Sequence, residues 1–226
     1  GGVKESNFGI GFKAGGPNYL LQFSKFKSKG QEQKAFDGYL PEVFSKVKGF
    51  SLNYLEEKSF LFWKKIMLGY EKAYKEIFSL SHDFSNLLGQ DNLFTYLPKT
   101  VAIRLQKSDS PLDFFCILGI ACLIPGRIKV YTNEFPLEFD EKWEGQLPCN
   151  LELVKSTDED FINELKKDKV NLVRFLSSPS GKVLESCSKS NILTFKQSIL
   201  SYGRLELSFY FQEQSLSYDF HRYGNL

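Results

Sequence analysis

The second half of the sequence alternates two kinds of segment, and this rhythm limits the fold more than any other feature. From Leu93 onward, short β-branched and apolar runs (VAIRLQ, IKVYT, LELVKS, VNLVRF, NILTF) alternate with segments of helical spacing (SPLDFFCILGIACLIPG, DEDFINELKK, KVLESCSKS). Strands that alternate with helices form a parallel sheet covered by helices. The sequence therefore predicts an α/β chain with a Rossmann-like parallel sheet and flanking helices. Two further strand-like runs, LELSFYF and SLSYDF, close it.

Two helix starts are marked by their residue types. Ser110 precedes Pro111, and Thr157 precedes the acidic residues 158–160. A small polar residue before the helix, with proline or acidic side chains in the first turn, is typical of a helix N-terminus. We expect helices to begin at both places.

The part of the chain before the α/β body divides into three segments. Residues 1–24 form a glycine-rich loop, and residues 25–50 are dense in lysine and serine, which indicates a linker or arm. From Ser51 to Phe84, apolar residues recur at intervals of three and four, which predicts one long amphipathic helix or two joined helices. The predicted sheet is therefore preceded by a loop, an arm and a long helical segment.

Charge and hydropathy exclude several classes of protein. The 226 residues include 29 Lys and Arg against 27 Asp and Glu, a net charge of +2, which does not favour nucleic-acid binding. No apolar run approaches the roughly 20 residues of a membrane span, and no signal peptide is recognisable. We expect a cytoplasmic protein without a membrane span. Because the sequence begins with Gly-Gly and no methionine, we also expect a segment of a longer protein.

The cysteines and histidines do not suggest a metal site or a catalytic thiol. No CxxC pair occurs, and the histidines are His82 and His221. A nucleophilic cysteine would need a nearby base. We interpret the four cysteines as reduced thiols in the core: Cys116, Cys122, Cys149 and Cys187.

Two places invite comparison with a dinucleotide-binding turn, and neither fits. GIGFKAGG has spaced glycines, but no strand precedes Gly9, and Pro17 follows where a helix should begin. In the α/β body, Lys107, Ser108 and Asp109 stand where the phosphate loop would lie, and a carboxylate there repels phosphate. The sequence predicts a Rossmann-like scaffold without a cofactor of its own.

The C-terminal run QEQSLSYDFHRYGNL leaves two interpretations open. Many hydrogen-bonding groups cluster near its end, and chain ends usually fray unless they dock onto something. The run is either a docking segment or a frayed tail. The residues concerned are His221, Arg222, Tyr223, Gly224 and Asn225.

Three stretches of the chain resemble the bifunctional proline utilisation A flavoenzymes. GGVKES followed by GFKAGGPNYLLQF resembles the end of their aldehyde dehydrogenase domain, and EQSLSYDFHRYGNL resembles their C-terminal motif. LLGQDNLFTYLPKTVAIRLQ resembles the stretch that leads into a leucine-proline strand in those enzymes. The resemblance spans nearly the whole chain and is strongest at its two ends.

The resemblance implies an activity that belongs to upstream domains. These enzymes join an FAD-dependent proline dehydrogenase to an NAD-dependent L-glutamate-γ-semialdehyde dehydrogenase and pass the intermediate between the two sites. Neither active site would lie in this chain, so it would hold no catalytic residue, metal, NAD or FAD. Its partners would be the upstream catalytic domains of the same polypeptide.

The resemblance also assigns residues and boundaries. It implies the end of the aldehyde dehydrogenase domain at 1–24, a linker or arm at 25–50, and a helical segment with a Rossmann-like C-terminal domain at 51–226. The residues that would border the aldehyde pocket are Gly1, Gly2 and Ser6. Those that would shape the exit of the chain from it are Lys13, Ala14, Gly15, Gly16 and Pro17. The lid over the aldehyde site would be formed by His221, Arg222, Tyr223, Gly224 and Asn225.

Two functions therefore remain from the sequence. The first is a non-catalytic C-terminal segment of a bifunctional enzyme that converts proline to glutamate, where it covers the aldehyde site and supports channelling of the intermediate. The alternative is an independent α/β module that binds a small molecule. A severed segment would expose apolar surface and self-associate, whereas an independent module would be monodisperse.

Overall fold

The structure is a computed structural model that describes residues 16–26, 38–135, 145, 147–168, 170 and 172–219. The helices are α1 (Ser45–Tyr54), α2 (Glu57–Ala73), α3 (Pro111–Leu123), α4 (Asp158–Lys167), α5 (Gly181–Lys189) and α6 (Gly203–Leu207). The strands are β1 (His82–Asp83), β2 (Gln90–Pro98), β3 (Val101–Leu105), β4 (Ile128–Thr132), β5 (Leu151–Lys155), β6 (Leu172–Phe175), β7 (Leu193–Lys196) and β8 (Phe211–Asp219).

Five parallel strands form the larger sheet, in the order β5-β4-β3-β6-β7. The central strand β3 pairs with β4 on one side and with β6 on the other, so that Ile103 lies between Val130 and Arg174. This order, in which the chain winds outward in both directions from a central strand, is that of a Rossmann-like sheet. The predicted α/β fold class and its five internal strands are confirmed.

The smaller sheet is antiparallel and has the order β1-β2-β8. The pairing of β2 with β8 extends from Gln90 opposite Asp219 to Pro98 opposite Phe211. Strand β2 continues into β3 after only two residues, 99 and 100. The small sheet is therefore joined directly to the centre of the large one.

The main core lies between one face of the large sheet and helices α1, α2 and α3. Alternate residues of β3, Val101, Ile103 and Leu105, are fully buried in it, as the period of two in a strand requires. The indole N–H of Trp63 on α2 donates to the backbone carbonyl of Phe115 on α3 at 3.1 Å. This bond joins the two helices inside the core.

A second core lies on the other face of the large sheet, under α4 and α5. Ala102 and Tyr131 from the strands meet Phe161 from α4 and Cys187 from α5 there. Because α3 covers one face while α4 and α5 cover the other, the sheet is buried on both sides. Strands in that position are expected to be mostly apolar, and β3 and β6 are so except for one arginine each, Arg104 and Arg174.

Both marked helix starts are confirmed. Pro111 is the first residue of α3, after Ser110. At α4 the Thr157 hydroxyl accepts from the backbone N–H of Asp160, and the Asp160 carboxylate accepts from the backbone N–H of Thr157. This reciprocal pair satisfies two helix-terminal donors that would otherwise lack partners.

The helical segment differs from the prediction at both ends. It consists of two helices, α1 and α2, which are separated at residues 55–56, and a single π-type turn, Tyr74–Phe78, ends it before Phe84. The linker or arm expected for residues 25–50 is wrong for its last third, because α1 begins at Ser45 and Phe44, Val47 and Phe50 are buried. These apolar side chains pack against the main core and hold the segment in place.

The run LELSFYF is not a strand, contrary to the sequence prediction. It forms α6 and a 3-10 turn, Ser208–Tyr210, and β8 begins only at Phe211. Helix α6 crosses α2 so closely that a Cβ on Gly203 would lie 2.4 Å from the Gly69 carbonyl oxygen. This approach directs Glu206 into the protein. The final run, SLSYDF, is in strand β8 up to Asp219, as predicted.

Candidate functional site

The carboxyl edge of the large sheet is where Rossmann-like proteins bind ligands, at the point between β3 and β6 where the winding reverses. The turn that follows β3 lies there and contains Lys107, Ser108 and Asp109, as expected from the sequence. The backbone N–H of Gln106 donates to Asp109 Oδ2 at 2.7 Å. A backbone donor of this turn is therefore used by a carboxylate within the turn.

Arg104 lies near the end of β3, shortly before this turn in the sequence. Its guanidinium donates to the backbone carbonyl and the hydroxyl of Ser156, both at 3.0 Å, and to Asn133 Oδ1 and Asp158 Oδ1, both at 2.9 Å. The guanidinium carbon also lies 5.1 Å from the centre of the Phe161 ring. One side chain thus connects the ends of β3, β4 and β5 with the start of α4.

Arg174 on β6 projects from the opposite face of the sheet and forms a buried ion pair with Glu206. Both side chains have 0% exposure. Arg174 Nη1 and Nη2 donate to the two oxygens of the Glu206 carboxylate, the second at 3.1 Å, and Nε and Nη2 donate to the backbone carbonyls of Gln197 and Ser198. Glu206 also accepts the backbone N–H of Leu200 at 2.8 Å. The pair fixes the segment between β7 and α6.

The Arg174 pair changes the pKa values of groups near it. Burial alone would lower the pKa of Arg174, but the Glu206 carboxylate and Tyr210 outweigh burial and raise it. Burial raises the pKa of Asp113 on α3 to about 6, and Glu206 adds to this while Arg174 opposes it. Burial also raises the pKa values of Tyr70 and Cys116. This region is a charged network enclosed in the main core.

The N-terminal segment docks on the small sheet. Tyr19–Phe23 is a 3-10 turn, which begins after a bond from the Tyr19 N–H to the Gly16 carbonyl at 3.1 Å. Asn18 is 1% exposed and donates from Nδ2 to Tyr96 Oη at 2.9 Å and to Glu213 Oε1 at 2.8 Å. The segment is thus held to β2 and β8 by a buried amide.

The small sheet and the loop beside it expose large apolar side chains. Leu88, in the loop before β2, is 99% exposed. Other exposed apolar residues on the sheet and in this loop are Phe84, Leu87, Leu93, Leu97, Leu216 and Tyr218. Leu93, Leu97, Leu216 and Tyr218 share one face of the sheet, whereas Phe84 and Leu87 lie on the other face with Phe94. Exposed apolar surface marks interaction sites, and we call these four residues of one face the apolar surface of the small sheet.

Most of the site residues that the resemblance implies lie outside the described residues. They are Gly1, Gly2, Ser6, Lys13, Ala14 and Gly15 at one end and His221, Arg222, Tyr223, Gly224 and Asn225 at the other. Their pocket and lid roles stay predictions. Gly16 and Pro17 lie at the start of the docked segment, beside Asn18.

The cysteines are free, and their burial varies. Cys116 and Cys187 are buried, as predicted, and Cys122 is half-buried. The core assignment is wrong for Cys149, which is exposed in the turn before β5. His82 donates from Nε2 to the Ile77 carbonyl at 2.7 Å.

Two further features concern the described part of the chain. No helix there is long and apolar enough to cross a membrane. No group of three or more His, Cys, Asp or Glu side chains in that part is placed to hold a metal ion.

Sequence reasoning missed the residues that organise these regions: Arg104, Arg174, Glu206 and Asn18. For the two arginines a signal existed, because each is the single charged residue in an otherwise apolar strand run. Such a residue is buried among apolar neighbours and needs partners. Glu206 and Asn18 have no comparable local signal.

Comparison with known proteins places the chain by its fold. No family model matches the sequence, and no curated protein matches it. Proline utilization A (PutA) from Corynebacterium freiburgense matches 97% of this chain and 18% of its own, with a TM-score of 0.63 and 20% identity. A PutA with proline bound in remote sites matches 69% of this chain and 17% of its own, with a TM-score of 0.49 and 13% identity. A 3,6-anhydro-L-galactose dehydrogenase in complex with NAP matches 68% and 38%, with a TM-score of 0.43 and 17% identity.

The match to the Corynebacterium freiburgense protein includes nearly all of this chain but less than a fifth of that protein. It therefore concerns one part of a much longer polypeptide. At 20% identity, it is the fold that the two share. The chain shares the α/β fold of a segment of proline utilization A, in agreement with the resemblance of its sequence to that family.

Proposed function

We propose that this chain is the non-catalytic C-terminal segment of a bifunctional enzyme that converts proline to glutamate. In that enzyme it covers the aldehyde-oxidising site and supports channelling of the intermediate. The likeness to PutA over 97% of the chain carries the proposal, and the motifs at the two ends agree with it. NAD and FAD would be bound by the upstream catalytic domains.

The turn after β3 supports the part of the proposal that this domain binds no dinucleotide itself. A Rossmann-like site presents backbone N–H groups of a glycine-rich turn to the pyrophosphate. Here the Asp109 carboxylate accepts the hydrogen bond of a backbone N–H of the turn and adds negative charge. The Arg104 guanidinium already donates to Ser156, Asn133 and Asp158. Phosphate would meet repulsion where it needs donors.

The thiols of the helices support the non-catalytic assignment. Aldehyde oxidation through an acyl-enzyme needs a thiolate, and a thiol is most reactive when its pKa is low. Burial raises the pKa of Cys122 to about 11, and it also raises the pKa values of Cys116 and Cys187. These three side chains are core thiols and poor nucleophiles at neutral pH.

The apolar surface of the small sheet suits contact with the upstream catalytic domains. Leu216 and Tyr218 belong to β8, which leads directly into the terminal HRYGNL motif. A partner that covers this surface would also receive the motif. We infer that the small sheet delivers residues 220–226 to the aldehyde site.

Removing everything after Asp219 from the full-length enzyme tests the proposal. If the terminal motif closes the aldehyde site against water, the truncation lowers aldehyde oxidation and coupled proline-to-glutamate flux. The flavin half-reaction stays unchanged and controls for misfolding. Unchanged coupled turnover in the truncated enzyme would contradict the proposal.

A further inference from the structure

Asn18 is a buried polar side chain at the junction of three segments that are far apart in sequence. Its partners Tyr96 and Glu213 stand opposite each other in the pairing of β2 with β8. The Asn18 amide bonds to both, at 2.9 and 2.8 Å, so one donor group serves two strands. We call these three residues the Asn18 cluster.

The two chain segments that meet here are those with the strongest resemblance to PutA. Asn18 directly follows the GFKAGGP run, and Glu213 is the first residue of the EQSLSYDFHRYGNL motif. Leaving a buried donor without its acceptor, or a buried acceptor without its donor, destabilises the folded state. The position of each segment therefore depends on the other.

We propose that Asn18 is a positioning residue that ties the exit of the glycine-rich loop to the strand that carries the terminal motif. The inference rests on the proposed function, in which both segments serve one aldehyde site. It adds the physical connection between them: a displacement of residues 16–24 displaces Glu213, and with it the start of the terminal motif.

A polarity swap tests this connection without changing the net charge of the cluster. Asn18→Asp places a second carboxylate beside Glu213 and removes the shared donor. Adding Glu213→Gln restores an amide and a carboxylate in exchanged positions. The cations within electrostatic reach, Arg204 near Tyr96 and Lys99 near Glu213, then face the same total charge as in the native protein.

Hydrogen exchange, followed by mass spectrometry on the full chain, gives the readout. Asn18→Asp is expected to speed exchange about tenfold both in residues 19–24 and in β8, and the double variant is expected to return both close to native rates. Asn18→Ala removes both bonds without adding charge and is expected to act in the same direction. Ser24→Ala is the matched control, because its hydroxyl donates only within the segment, to the Leu20 carbonyl at 2.9 Å. It should leave β8 unchanged.

Faster exchange confined to residues 19–24 in both Asn18 variants would overturn the proposal. So would a double variant that exchanges as fast as Asn18→Asp. The exchange rates of residues 19–24 and of β8 are both measured without reference to enzyme activity. If exchange is coupled but the truncation after Asp219 leaves flux unchanged, the connection stands and the proposed function fails.

Discussion

Two buried arginines on neighbouring strands of one sheet are accommodated in different ways. Arg104 on β3 lies near the carboxyl edge, and its carboxylate partner Asp158 is 43% exposed. Arg174 on β6 projects from the other face, and its partner Glu206 is 0% exposed. The first arginine shares its charge with a group in contact with water, whereas the second has its counter-charge inside the core.

The difference shows how depth determines the partner that a charge needs. Arg104 also has the neutral acceptors Ser156 and Asn133, so the loss of one carboxylate leaves most of its hydrogen bonds. Arg174 has two backbone carbonyls and one carboxylate, and water cannot replace the carboxylate. A buried charge without its partner is one of the costliest defects in a folded protein.

Removing the carboxylate that pairs with Arg174 should have the largest effect on the free energy of unfolding. Glu206→Gln leaves a buried guanidinium uncompensated, and we expect it to lower the free energy of unfolding by about 3–5 kcal/mol. Urea unfolding followed by circular dichroism measures this. Combining it with Arg174→Met removes both charges and should recover most of the loss. A loss below about 1 kcal/mol for Glu206→Gln would show that the pair is not as enclosed as described.

An intermediate effect on the free energy of unfolding is expected at Asp113, beside the Arg174 network. Because its pKa is raised to about 6 by burial, the folded state binds this proton more tightly than the unfolded state does. Stability is then highest below about pH 4 and falls as the pH rises towards about 6. Asp113→Asn should remove this slope and raise the free energy of unfolding at pH 7 by roughly 1–3 kcal/mol. Melting curves at several pH values check this, and an unchanged slope would contradict it.

The smallest effect on the free energy of unfolding is expected for the partner of Arg104, Asp158. Asp158→Asn should lower the free energy of unfolding by less than about 1 kcal/mol, because the carboxylate is partly exposed and Arg104 keeps Ser156 and Asn133. The same unfolding experiment applies, repeated in high salt, where the difference should shrink further. A loss as large as that of Glu206→Gln would erase the distinction between the two sites.

The sequence predicted the large sheet because its signals are local. Each internal strand is a short apolar run, and each helix between strands has its own spacing and, at Ser110 and Thr157, its own start signal. For the segment before α2, the many lysines and serines favour a linker or arm. Its apolar residues Leu40, Phe44, Val47 and Phe50 recur at helical intervals, and that spacing predicts what the structure shows.

The candidate site could not be predicted in the same way, because its contacts join distant residues. The alternation in LELSFYF favours a strand, yet Glu206 meets Arg174, 32 residues away, and α6 forms. Local propensity is overridden by tertiary contacts in such cases. Asn18 bonds to Glu213 across 195 residues, and nothing beside it in the sequence marks the contact.

Calorimetric titration of the folded chain with NAD shows whether this fold works without a dinucleotide of its own. We expect no binding heat up to millimolar NAD, because Asp109 occupies the turn after β3 and Arg104 already pairs with Asp158. The melting temperature of the chain should also stay unchanged when NAD is added. Saturable binding at micromolar NAD, lost when the turn after β3 is altered, would contradict the account.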